Sequence, residues 1–184
     1  MSVTVTDDQK ATRRAKALVR TAKPETSSKK VVIKVKSPAK FRDVFNASPE
    51  DRIKIIRRGM PATEAKRIVQ VLGLEHKFFY HALGLKTATV NRKIALSEQL
   101  SSDESERLLG VAKLIGQVEA IIAESGDPND FNASEWISRW LREPLPAFGG
   151  TAPIELLDTM EGQAMVAEAL ARIQSGAYAC ATRS

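Results

Sequence analysis

The sequence predicts an all-α fold in three parts: a basic N-terminal tail, a helical middle and a small helical C-terminal domain. Three observations carry this. Apolar residues recur at spacings of three and four wherever the chain is rich in them. Helix starts and stops are punctuated by Ser, Pro and Gly, not by hairpin turns. The one stretch with strand character, Val31-Val32-Ile33-Lys34-Val35, has no convincing partner nearby. The expected divisions are 1–40, 41–128 and 129–184.

Residues 1–40 are rich in Lys, Ala, Thr and Ser. A helix over Gln9–Ala22 would bury little, because its apolar side is mostly Ala. Pro24 and Ser27-Ser28-Lys29-Lys30 read as linker, and the segment is expected to be a largely disordered basic tail. From Phe41 the chain becomes globular. Ser48-Pro49-Glu50-Asp51 starts a helix, with Ser as cap, Pro in the first turn and acids after it; Gly59 ends it. Thr63–Leu72 places Ala65, Ile68, Val69 and Leu72 on one face. Glu75–Leu83 and Thr87–Leu96 follow as short helices about Gly84. Ser101-x-x-Glu104 is a capping start for a long helix whose stripe is Leu108, Val111, Ile115, Val118 and Ile122. That stripe is expected to be core, with self-association as the alternative.

The last third holds both tryptophans, half of the prolines and no catalytic cluster. Trp136 and Trp140 share a helix. Pro144-Leu145-Pro146-x-Phe148-Gly149-Gly150-x-x-Pro153 reads as a stiff loop, stapled below by Trp140, Leu145 and Phe148. Glu161–Ser175 reads as a helix with Met165, Val166, Ala169, Leu170 and Ile173 inward.

Charge is divided along the chain. Residues 1–40 and 52–93 each carry net +8, residues 41–51 carry −2, and residues 94–184 carry −8. A basic front and an acidic back suggest two different partners. No apolar run approaches the roughly 20 residues of a membrane span, and the basic N-terminus lacks the apolar region of a secretory signal. The lone Cys180 excludes an internal disulfide and a zinc cluster. A cytoplasmic protein without membrane contact, metal or cofactor is expected. His76 and His81 point apart on one helix, and no phosphate loop or dinucleotide fingerprint is present. An enzyme is not expected, and no residue is assigned a catalytic role.

Three short helices in succession over residues 61–96 suggest a helix-turn-helix. Gly84 stands where the chain must turn with φ > 0, and Val90, six residues on, is the apolar anchor of the recognition helix. That leaves Lys86, Thr87, Thr89, Asn91, Arg92 and Lys93 to face DNA. Arg92 and Lys93 suit phosphates or guanine edges, Asn91 an adenine edge, and Lys86 a phosphate. Tyr80 departs from the pattern, since a small residue usually lets the two helices approach there. Helix-turn-helix proteins usually bind as dimers on spaced half-sites, so a homodimer, or a hetero-oligomer with a partner, is expected.

Two stretches resemble the Xre/ParS/MbcA antitoxins of type II toxin–antitoxin pairs with RES-domain toxins. The first is Leu83-Gly84-Leu85-x-x-x-Thr89-Val90-x-Arg92-Lys93, with Leu100-Ser101-x-x-Glu104-Ser105-x-Arg107-Leu108. The second and more specific is Trp140-Leu141-x-x-Pro144-x-x-x-Phe148-Gly149-Gly150-x-x-Pro153-x-x-Leu156-Leu157-x-Thr159-x-x-Gly162. The resemblance covers roughly residues 48–180. It implies an Xre-like helix-turn-helix that represses the pair's own operator DNA, and a C-terminal toxin-binding domain that covers the active site of an NAD-consuming RES toxin. Under it, Trp140, Leu157, Val166 and Leu170 build the core. Pro144, Leu145, Phe148, Gly149, Gly150 and Pro153, with Tyr178 and Arg183 of the tail, are the candidates to touch the toxin. The alternative is a stand-alone helix-turn-helix repressor whose C-terminal domain serves dimerisation.

Overall fold

Short-range chemistry sets most helix boundaries. In the computed structural model, residues 40–125 and 132–174 are described. The tail, the candidate strand at 31–35, Cys180, Tyr178 and Arg183 lie outside them. The first helix, α1 (Phe41–Asn46), was not anticipated from the sequence; it buries Phe41 and Val44, and the Arg67 guanidinium lies 4.5 Å over the Phe41 ring. In α2 (Pro49–Arg58) the Ser48 hydroxyl accepts from the Asp51 amide at 3.1 Å, with Pro49 in the first turn. In α3 (Ala62–Leu72) the expected face of Ala65, Ile68, Val69 and Leu72 is buried. Then come α4 (His76–Ala82) and α5 (Thr87–Ala95).

Between α5 and the next helix the chain runs back beside the start of α3. The Ala62 amide donates to the Glu98 carbonyl at 3.1 Å and the Leu100 amide to the Met60 carbonyl at 2.8 Å, around an isolated bridge from Pro61 to Gln99. The long helix α6 (Ser102–Ser125) starts with the expected reciprocal cap. The Ser101 hydroxyl accepts from the Glu104 amide at 3.2 Å, and the Glu104 carboxylate accepts from the Ser101 amide at 2.7 Å. After α7 (Ala133–Trp140), the chain makes 3-10 turns at Pro146–Phe148 and Pro153–Leu156 and ends in α8 (Met160–Gln174).

Helix α6 is the spine, touching α1, α2, α7 and α8. Its stripe is core: Leu108, Val111, Ile115 and Val118 are buried, in one apolar cluster with Tyr80, Val90, Ile137, Leu141, Leu157, Val166 and Leu170. The stripe is therefore spent inside the chain and leaves no seam for self-association. The middle and C-terminal parts share this core. Helix α8 corrects one expectation. Gly162, Gln163, Val166, Ala169 and Leu170 face inward, while Met165 is 43% and Ile173 37% exposed. Met165 lies about 100° round the helix from Val166, and Ile173 is in the last turn of the described helix.

Candidate functional sites

The helix-turn-helix is built from α4, α5 and the four residues between them. Gly84 has φ +60°, and the Leu85 amide closes the turn on the Tyr80 carbonyl at 2.7 Å. Leu83, Leu85 and Val90 are buried under it. Tyr80 is buried completely, so the large side chain fills the space where a smaller one was expected. Its ring stands edge-on to His76 at 5.9 Å and its hydroxyl is 3.4 Å from His76 Nδ1. Both groups are thereby accounted for as structure. Among the described residues no group of three His, Cys, Asp or Glu is placed to hold a metal.

The six candidate DNA-facing residues divide. Lys86, Asn91 and Arg92 are exposed, and Thr87 and Thr89 are half-buried. Arg92 makes an ion pair to Glu98 at 3.3 Å with both partners well exposed, a contact that water and salt weaken and DNA could displace. Lys93 is different. Its side chain is only 14% exposed, and its ammonium meets the equally covered Glu104 carboxylate at 2.5 Å. The expectation of a free, DNA-facing Lys93 is corrected here: its place on α5 turns it toward the start of α6, where it ties the recognition helix to the α6 cap.

Burial alone would raise the Glu104 carboxyl, but the bonds from Lys93 and the Ser101 amide outweigh it and hold it below its ordinary value of 4.5. A carboxyl lowered by folding stabilises fully above its unfolded value, and that contribution is lost as pH falls through the folded one. Thermal melts should therefore show wild type losing stability below pH 4.5 more steeply than Glu104→Gln. Asp51, also lowered, by Lys54 and Ser48, contributes equally to both proteins. Parallel acid limbs would show that the Lys93–Glu104 tie carries no stability.

The C-terminal loop is closed by its own backbone. The Phe148 and Gly150 amides donate to the Leu145 carbonyl at 2.9 and 3.0 Å, the Gly149 amide to Pro146 at 3.0 Å, and the Leu145 amide to Thr151 at 3.2 Å. Gly149 and Gly150 have φ +63° and +86°, and a Cβ at either would meet nothing within 4 Å. They serve the backbone path and not a tight fit. Leu145 and Phe148 anchor the loop, half-buried against the core, and the Trp136 and Trp140 rings of α7 stack at 5.9 Å. Pro144, Pro146, Ala147, Gly149 and Gly150 are exposed. Pro153 is buried at the start of its 3-10 turn, so it shapes the loop from below and is not a contact residue.

Sequence reasoning missed one buried connection. Gln163 is 6% exposed, and its amide donates to the Arg107 carbonyl of α6 at 3.0 Å and to the Leu157 carbonyl at 2.8 Å. It lies over Gly110, where a Cβ would fall 1.6 Å from Gln163 Oε1. The signal was a glycine inside an otherwise regular helical stripe.

Comparison with known proteins gives these surfaces a context. Residues 51–113 match the family model of the antitoxin Xre-like helix-turn-helix domain. Residues 130–176 match that of the antitoxin Xre/MbcA/ParS C-terminal toxin-binding domain. The chain is 52% identical over 155 residues to a Sphingobium protein named Prs ADP-ribosylating antitoxin, an alignment covering 84% of this chain and 98% of that one. It is 32% identical over 88 residues to a Pseudomonas putida protein named Antitoxin Xre, covering 48% of this chain and 50% of that one.

Proposed function

This chain belongs to the Xre/MbcA/ParS antitoxins, regulators and not enzymes, and on that premise we propose that it neutralises a cognate RES-domain, NAD-consuming toxin through its C-terminal loop while repressing its own operator through α5. The observation that carries the reading is the shared core: one apolar cluster holds up both an exposed polar helix face and an exposed, self-bonded loop. The Sphingobium relative's name points to ADP-ribosylation of Prs, and ADP-ribose transfer draws on NAD, in keeping with such a toxin. Neutralisation by covering the active site requires no catalytic group from the antitoxin, only a shaped surface. The Pro144–Gly150 loop supplies one whose conformation is set before binding, which lowers the ordering cost of association.

Two variants should separate the tasks. Asn91→Ala with Arg92→Ala removes the exposed base-reading groups. Each good base contact is worth about 1–3 kcal/mol, so operator affinity should fall at least roughly tenfold at fixed salt, with growth still protected. Ala147→Arg places a long cation on the loop and should abolish co-purification with the RES toxin and growth rescue, with operator binding unchanged. Gel shifts unaffected by the first variant would remove α5 as the reading helix. Full protection by the second would remove the loop as the toxin surface.

A further inference from the structure

Helix α5 ends in a turn that glycine would make most easily and serine makes instead. Ser97 has φ +52°, the only positive φ at a non-glycine among the described residues, and a left-handed backbone is strained for a residue with a side chain. Its amide donates to the Ile94 carbonyl at 3.1 Å. The next residue, Glu98, is pinned through both of its backbone groups. Its amide donates to the Lys93 carbonyl at 2.8 Å, and its carbonyl accepts from the Ala62 amide at 3.1 Å. The turn decides where the Glu98 carboxylate stands. On an uninterrupted helix, residue 98 would lie about 240° round and about 9 Å along from residue 92, where the two side chains do not face each other. With the chain turned back at Ser97, both carboxylate oxygens lie beside Arg92, Oε2 at 3.3 Å and Oε1 at 3.4 Å.

Both contacts use Nη1 of the guanidinium, and among the described residues Nη2 and Nε make no hydrogen bond. The guanidinium is a planar fork of N–H donors. One side of the fork is held by the acid, and the Nε–Nη2 edge is left for a partner. That edge matches the O6 and N7 acceptors of guanine as a bidentate pair. A phosphate is a different case. It brings a second anion beside a carboxylate whose backbone is pinned, and like charges at that distance repel. Non-specific DNA binding rests almost wholly on phosphate contacts, whereas a guanine edge carries no net charge. Discrimination comes from a repulsive element against the wrong partner as much as from an attractive one for the right partner. Lys86, the other exposed cation of this surface, has no such acid among the described residues.

Resting on the reading of α5 as the operator-facing helix, we propose that Glu98 is a positioning residue for DNA recognition: it sets Arg92 to read a guanine edge and keeps it from serving as a general phosphate contact. The pair adds little to the fold, since an exposed ion pair is weak in water. Its effect lies in the ratio of operator binding to binding elsewhere. The strained serine has a role in the same arrangement, because the turn at Ser97 is what brings an acid from beyond the end of α5 back to its exposed face.

The test is equilibrium binding of the full chain, by fluorescence anisotropy over a salt series. The probes are the operator upstream of its own coding region, random-sequence DNA of equal length, and operators in which one guanine at a time is replaced by 7-deazaguanine, which lacks the N7 acceptor. In the wild type one guanine should show a loss of about fivefold or more on replacement, and Arg92→Ala should be indifferent to that replacement. Glu98→Gln should bind random DNA about three- to tenfold more tightly, with a salt slope steeper by about one, as for one added phosphate contact. Its operator affinity should change by about twofold at most, and its loss at the singled-out guanine should shrink to about twofold. In the Arg92→Ala background the same change should leave the operator-to-random ratio unmoved. Melting midpoints should stay within about 2–4 °C of wild type. A Glu98→Gln chain with the wild-type ratio and salt slope overturns the proposal. So does a ratio that falls as far without Arg92, or an operator in which no guanine depends on Arg92. A wild type that binds operator no better than random DNA defeats the reading of α5 itself, and the first comparison tells that failure apart from the others.

Discussion

A chain ended at Ser125 is expected to lose cooperative unfolding, and operator binding with it, although every helix of the DNA-facing region remains. Helix α6 lies in both halves of the core. Removing the segments C-terminal to α6 strips away Ile137, Trp140, Leu141, Ile154, Leu157, Val166 and Leu170, all buried in the common cluster. At roughly 1.5–3 kcal/mol for each such side chain, about 10–20 kcal/mol of apolar burial is lost, against a total stability of about 5–15 kcal/mol. The part of α6 that packs against α7 and α8 would then be in water. Circular dichroism melts and gel shifts of the shortened and full chains check this. A shortened chain that melts cooperatively and binds operator like the full one would show that the middle is an independent domain after all. If the prediction holds, loss of neutralisation on truncation is no evidence for a toxin-binding surface, and substitutions on exposed loop residues such as Ala147 are the sharper probe.

The parts of the fold legible in the sequence are those fixed within four or five residues. Ser48-Pro49 and Ser101-x-x-Glu104 form the caps their spacing calls for. Gly84 takes the left-handed turn that a helix-turn-helix needs. The features the sequence did not reveal depend on segments far apart in the chain. Lys93 sits in a helix whose pattern leaves it free to face outward, and only the return of residues 97–104 beside it supplies Glu104. Pro153 belongs to a loop motif, yet burial takes it out of reach of a partner. Met165 fits an inward stripe by spacing, but the residues that settle the rotation of α8 are Gly162 and Gln163, which face inward with Val166 and Leu170. Tyr80 shows the converse: a local rule for a small residue gives way when the surrounding core is shaped to hold a large one.

The joint at Gln163 yields an expected reversal of sign. Gly110→Ala in the wild-type chain should destabilise it by about 2–3 kcal/mol, because the new methyl would overlap Gln163 Oε1 at 1.6 Å and Cδ at 2.5 Å. Gln163 would have to leave its buried place and give up its bonds to the Arg107 and Leu157 carbonyls, with each buried group left unpaired costing about 1–3 kcal/mol. Gln163→Ala alone should cost a similar amount for the same lost bonds. In that second background the overlap is gone, and Gly110→Ala should now stabilise by about 0.5–1 kcal/mol, the usual gain for replacing glycine inside a helix. For a chain of this length each kcal/mol moves the midpoint by about 2–4 °C, so the two effects of one substitution should be readily separated in thermal melts. A helix-propensity effect alone would raise stability in both backgrounds, and a general intolerance of α6 to change would lower it in both. Only a side chain held over Gly110 by bonds to two separate segments makes the sign depend on residue 163, so the same sign in both backgrounds would refute the joint.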